Sequence, residues 1–177
     1  EILQFCASKK IRVVADECFL RFHPHYEKMS CKRFLKQYPN LLIVNAFTKF
    51  YAMAGLRLGY LMTGDLSLLH AVAQQLPEWN VSSIAQRAGI SALQDTEYEK
   101  RTRQLIEKER RYLIQEFLKM GCTVFPSEAD YITFRLPQEK TGFLLKERLL
   151  EGKILIRSCA NYRNMPPDCY RIAVKQH

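Results

Sequence analysis

Apolar and polar residues fall in blocks along this chain, and the length and period of each block separate strand from helix. "IRVVAD" (11–16) and "LLIVNAF" (41–47) are short apolar runs rich in β-branched residues and closed by a polar group, the pattern of buried strands. "LRLGYLMTG" (56–64) reads as a third strand ending at Gly64. Between the first two, "SCKRFLKQY" (30–38) reads as a short helix opened by Ser30 and closed before Pro39. Ahead of them Ile2, Phe5 and Cys6 share one helical face without a capping residue, so the segment is expected to belong to a helix cut into, in a piece of a longer chain. The alternation predicts an α/β layer with a largely parallel sheet.

Helical spacing then takes over. "DLSLLHAVAQQL" (65–76) and, after Pro77 and the only tryptophan, "SSIAQRAGISALQ" (82–94) read as helices, the second capped by Ser82. A long helix is expected from about Thr96 to Met120, stopped by Gly121 at the position after the cap. Beyond it the texture changes to short strands, "CTVFPS", "YITFRL", "KILIRS" and "CYRIAV", around one amphipathic helix, "TGFLLKERLLEG", with Leu144, Leu145, Leu149 and Leu150 near one face. Two domains follow, 1–97 as part of an α/β unit and 98–177 as a small α+β unit whose last strand is incomplete.

Composition narrows the class. In 177 residues, 47% hydrophobic and 25% charged residues describe a globular chain with enough apolar material for a core. The net charge of +9 admits an acidic partner, but its placement counts against nucleic acid. In the most charged stretch Glu99 with Arg103, and Glu107 with Arg111, are spaced as i,i+4 pairs of a solvated helix rather than a basic stripe. No apolar run reaches the roughly 20 residues of a bilayer span, and the first residues lack the sequence of a signal peptide, so a cytoplasmic protein without a membrane partner is expected.

The six cysteines are scattered without a CxxC, as in a reduced protein. Cys18, His23, His25 and Cys31 are competent zinc ligands, but they fit no standard finger and read as a polar loop after a strand; no metal is expected.

Ligands of open α/β sheets sit at the carboxyl ends of strands, where this sequence puts its unusual polar groups. Asp16 and Glu17 close the first strand, Lys49 follows the second and Arg57 opens the third. A carboxylate, an amine and a guanidinium can therefore converge, although each alone reads equally well as a cap, a surface lysine and an ion-pair partner.

Together, "VVADECF" and "NAFTKFYAMAGLRLGY" resemble the fold type I pyridoxal-phosphate enzymes, the aspartate aminotransferase superfamily, in its class I/II members. The likeness continues through "LPEWNVSSIAQRAG" and "ILIRSCANYRNM", and it implies the C-terminal part of the large cofactor-binding domain followed by the small C-terminal domain. It also implies pyridoxal 5'-phosphate as cofactor. Lys49 matches the lysine that condenses with the cofactor aldehyde, an amine made nucleophilic by a poorly solvated pocket. Asp16 matches the carboxylate that keeps the pyridine nitrogen protonated, and Arg57 the guanidinium that grips the phosphate, with Gly55 and Gly59 letting backbone pass close by. Arg171 matches the arginine that pairs with the substrate's α-carboxylate.

Two positions depart from the family pattern. Ala46 stands where Ser or Thr contributes a phosphate contact, leaving Thr48 as the nearby hydroxyl, and Phe19 stands where many members carry a tyrosine facing the ring. The half of the family chain that supplies the phosphate loop and the ring-stacking aromatic lies outside this sequence, so the piece alone is expected to have little or no activity.

Within the family, "DECFLRF" and "ILIRSCANYRNM" look most like the threonine-phosphate decarboxylases of cobalamin biosynthesis and next like the histidinol-phosphate aminotransferases. Either resemblance implies a small phosphorylated amino substrate and a homodimer. A binding or assembly fragment without catalysis is the non-enzymatic alternative.

Overall fold

The computed structural model describes residues 1–140 and 144–177, which divide into two compact units, Glu1–Glu99 and Lys100–His177. In the first unit, β1 (Val13–Asp16) pairs in parallel with β2 (Leu41–Ala46), and β3 (Gly59–Thr63) pairs antiparallel with β2 to complete a three-stranded sheet in the order β1-β2-β3. The largely parallel sheet expected from the sequence is thus corrected at its third strand. β2 is central, and Leu41, Leu42 and Ile43 are buried in succession, which explains its uninterrupted apolar run. β1 lies at the edge and alternates, with Val14 exposed.

Helices surround these strands. α1 (Ile2–Ser8) has no side-chain cap, and the face carrying Ile2 and Phe5 is exposed. α2 (Tyr26–Met29) is a single turn, and the helix expected over 30–38 shrinks to a 3-10 turn, Cys31–Phe34, opened by Ser30 Oγ accepting from the Lys32 amide. α3 (Leu66–Gln75) and α4 (Ser83–Gln94) are both capped: Ser82, as its sequence predicts, accepts from the Ala85 amide, and Asp65 accepts from the Leu68 amide. On α4 the small residues Ala85, Gly89 and Ala92 form the buried face.

α5 (Thr96–Lys119) spans the division between the units, and Gly121, at φ +79°, takes the left-handed conformation that ends it. The second unit is an antiparallel sheet in the order β4-β5-β7-β6, built from β4 (Thr123–Val124), β5 (Tyr131–Arg135), β6 (Arg157–Ser158) and β7 (Cys169–Ala173). α6 (Leu145–Glu151) supplies Leu145 and Leu149 to a core of Cys122, Phe134, Leu136, Ile156 and Tyr170; residues 141–143, which open the predicted helix, lie outside the described residues. Phe117 of α5 packs on Phe134 with ring centroids 4.2 Å apart. The same helix buries Glu109, which meets His177 Nδ1 at 2.6 Å.

Candidate active site

The strand directions decide which polar groups meet. β1 and β2 run the same way in register, Asp16 beside Val44, so both carboxyl ends open on one edge of the sheet. β3 runs back from that edge, with Gly59 opposite Ala46. Arg57, two residues before β3 begins, therefore stands at the same edge as Asp16 and Lys49, where a parallel third strand would have carried it to the far edge.

Asp16 is fixed by its own loop. Its Oδ1 accepts from the Cys18 amide at 2.9 Å, and hydrogen bonding from Cys18 holds its carboxyl below the usual range. Glu17, named in the sequence only as an acidic neighbour, is the buried one: its oxygens accept from Ser30 Oγ at 2.9 Å and from the Cys31 amide at 2.7 Å, tying the end of β1 to the next turn. Cys18, which the sequence motif does not single out, lies against Asp16. Burial, then Asp16, push its thiol up to about 11, while the positive charge of Lys49 pulls the other way, so this thiol feels both functional groups. Its approach to Ala46 and Lys49 is set by the fold.

Lys49 is exposed, on the irregular turn after β2, with Nζ 5.7 Å from the Phe19 ring centroid. Its neighbours Phe47, Phe50 and Tyr51 are all buried, so the turn is anchored on either side of the lysine. Its flanking side chains are desolvated while the amine itself is exposed in this stretch of chain. Thr48, half-buried, directly precedes it, and Ala46 ends β2.

Arg57 does not open a strand. It closes the 3-10 turn Ala54–Leu56 in a left-handed conformation at φ +52°, exposed, with a long contact of 3.5 Å from Nη1 to the Ala54 carbonyl. A non-glycine residue held there signals a position fixed for a reason. The two glycines divide: a Cβ on Gly59 would come within 3.1 Å of the Asn45 carbonyl, whereas a Cβ on Gly55 would meet nothing within 4 Å.

In the second unit Arg171 is half-buried on β7, 4.8 Å from the Tyr131 ring centroid. Its register partner on β6 is Arg157, of the "ILIRSCANYRNM" segment. Two arginines directly opposite repel unless an anion lies between them. No sequence signal pairs them, because the register of β6 on β7 joins residues across a loop.

His23 Nδ1 accepts from the His25 amide at 3.0 Å, and the described residues contain no group of three or more His, Cys, Asp or Glu side chains placed for a metal ion. Among the described residues, no helix is long and apolar enough to cross a membrane.

A carboxylate, an amine and an arginine thus share one edge of the sheet, the edge at which open α/β sheets take their ligands. The chain belongs to the aminotransferase class I and II family, whose sequence profile matches residues 1–177. It is 36% identical over 171 residues to the threonine-phosphate decarboxylase of Salmonella typhimurium, covering 96% of this chain and 46% of that protein. It is 33% identical over 164 residues to the histidinol-phosphate aminotransferase of Oleidesulfovibrio alaskensis, covering 92% and 42%.

Among solved structures, the histidinol-phosphate aminotransferase from Clostridium acetobutylicum superposes with a TM-score of 0.88 at 32% identity, covering 99% of this chain and 52% of that one. The same fold is seen in a Sinorhizobium meliloti histidinol-phosphate aminotransferase solved with pyridoxal-5'-phosphate, at a TM-score of 0.83 and 22% identity, covering 98% and 47%. The expected α/β aminotransferase fold is therefore the fold observed. The chain spans about half the length of the relatives it matches.

Proposed function

We propose that the full-length protein is a pyridoxal-phosphate enzyme acting on a phosphorylated amino acid, a threonine-phosphate decarboxylase of cobalamin biosynthesis working as a cytoplasmic homodimer. The observation that carries the cofactor assignment is the convergence of Asp16, Lys49 and Arg57 on one sheet edge, produced by a parallel pair followed by an antiparallel return. The donor set fits the group: an acid held ionised for the pyridine N–H, an exposed amine for the aldehyde, and an arginine with little intramolecular engagement for the phosphate. When bound, pyridoxal phosphate supplies an acceptor for the electron pair left as a bond to the substrate's α-carbon breaks.

The chain's own residues orient and move charge around that event. Asp16 keeps a proton on the ring nitrogen, Arg57 with Thr48 holds the phosphate, Phe19 lies beside the amine, and Lys49 carries the proton delivered at the α-carbon. Arg171, with Arg157 opposite it, takes anionic groups of the substrate. The identity to the Salmonella decarboxylase over nearly the whole chain supports phosphothreonine, which carries a carboxylate and a phosphate. A histidinol-phosphate-type aminotransferase is the second reading, favoured by the close superposition with the Clostridium enzyme.

Turnover by the full-length protein tests the choice. Carbon dioxide release from phosphothreonine without an oxo-acid is the expected result, and strict dependence on 2-oxoglutarate would replace it with the aminotransferase. Lys49→Ala is expected to lower turnover by at least about a thousandfold, as for loss of a covalent catalytic group.

A further inference from the structure

The turn that carries Lys49 is held by contacts outside the family motif. Its backbone closes on itself, with the Ala52 amide donating to the Lys49 carbonyl at 3.1 Å and the Met53 amide to the Phe47 carbonyl at 3.2 Å. The closure costs strain, since Ala52 sits at φ +54°, a conformation that persists in a non-glycine residue only when its surroundings impose it. What imposes it here is a buried polar clamp. The Tyr51 hydroxyl, immediately before the strained residue, donates to Glu99 Oε1 at 2.6 Å, and Tyr98, one residue before Glu99, donates from its hydroxyl to the Phe50 carbonyl at 3.0 Å.

Glu99 is 8% exposed and its charge is met by Arg21, whose guanidinium lies 5.4 Å from the Tyr51 ring and 5.3 Å from the Tyr26 ring. Burial, followed by the bond to Glu99, pushes the Tyr51 hydroxyl far above its ordinary range, so it remains a donor. Tyr51 also stacks on Phe47, ring centroids 5.1 Å apart, so the residues two before and two after Lys49 are locked to each other as well as to α5.

A clamp of this kind is more than packing requires. A phenylalanine would bury the same ring without a buried carboxylate, and a buried ion pair is weak as a source of stability but strong as a constraint on geometry. We infer that Tyr51, Glu99 and Tyr98 are positioning residues that hold the strained Lys49 turn in its reactive geometry. The inference rests on the reading of Lys49 as the cofactor lysine. The amine is exposed and carried on a flexible stem, so the geometry that the fold can fix is that of its backbone, and these three residues fix it.

The test uses Tyr51→Phe and Tyr98→Phe in the full-length protein, variants that keep the aromatic packing and remove one hydroxyl each. Two readouts are taken: the split between kcat and substrate KM, and hydrogen exchange of the Ala52 and Met53 amides with Ile43 in β2 as an internal control. Expected for Tyr51→Phe is a fall in kcat of about tenfold with KM within about twofold, and exchange at Ala52 and Met53 faster by about tenfold while Ile43 is unchanged. Tyr98→Phe is expected to move the same quantities in the same direction. Wild-type kcat and exchange in Tyr51→Phe would overturn the positioning role, as would exchange rising equally at Ile43, which marks general destabilisation. Turnover that survives Lys49→Ala would overturn the reading of Lys49 itself, a different outcome from wild-type Tyr51→Phe in an enzyme that Lys49→Ala inactivates.

Discussion

At Arg57 a single residue carries opposing demands, a left-handed backbone that disfavours any side chain and a guanidinium that the proposed phosphate site uses. Arg57→Gly relieves the backbone term, of order 1 kcal/mol, while removing a charge-assisted contact of about 1.5–3 kcal/mol with the phosphate. The expected outcome is a melting temperature equal to or above that of the parent, with affinity for pyridoxal phosphate lower by roughly tenfold or more, measured by thermal unfolding and absorbance titration. Cys18 gives a second residue-scale test. A thiol moved from 9.0 to about 11 carries about a hundredfold less thiolate at pH 8, so alkylation of Cys18 by iodoacetamide is expected to lag an ordinary exposed cysteine by that factor. The raised value belongs to the folded state, so the associated stabilisation is complete below pH 9.0 and disappears as pH rises through about 11. These two residues also differ in legibility. Arg57 stands out in "GLRLGY", but its strain does not; Cys18 carries no motif signal, because its environment comes from Asp16, Ala46 and Lys49 across two strands.

Elements were legible where their determinants are local. Ser82 and Asp65 cap the helices that follow them, and Gly121 ends α5, because each acts on backbone within a few residues. Ser82→Ala is expected to destabilise by about 1 kcal/mol in denaturant unfolding without altering turnover, since α4 contributes no site residue. The third strand shows the limit. Its apolar run predicts a strand correctly, yet nothing within Gly59–Thr63 tells parallel from antiparallel pairing, and that choice alone puts Arg57 at the sheet edge that Lys49 occupies. Likewise Glu99 has the spacing of a solvated i,i+4 partner of Arg103, and its burial against Tyr51, 48 residues away, is a tertiary fact.

For the whole molecule, stability rests on two cores, one in each compact unit. Phe134 is 2% exposed and central to the second, so Phe134→Ala is expected to cost about 3–5 kcal/mol, read as a lower denaturation midpoint, with the Lys49 turn in the first unit keeping its hydrogen-exchange pattern. What the sequence by itself determined is the order of the main parts, with the bounds of α3, α4 and α5 close to those observed, and a motif specific enough to place the chain in its family, since propensity, capping and motif spacing are short-range properties. What only the tertiary structure decided is which parts face each other: the antiparallel return of β3, Arg157 opposite Arg171, Cys18 near Ala46 and Lys49, and the clamp from Glu99 to the lysine turn. Those juxtapositions join residues distant in the chain, and their energies exist only once folding has brought the partners together and removed the water between them.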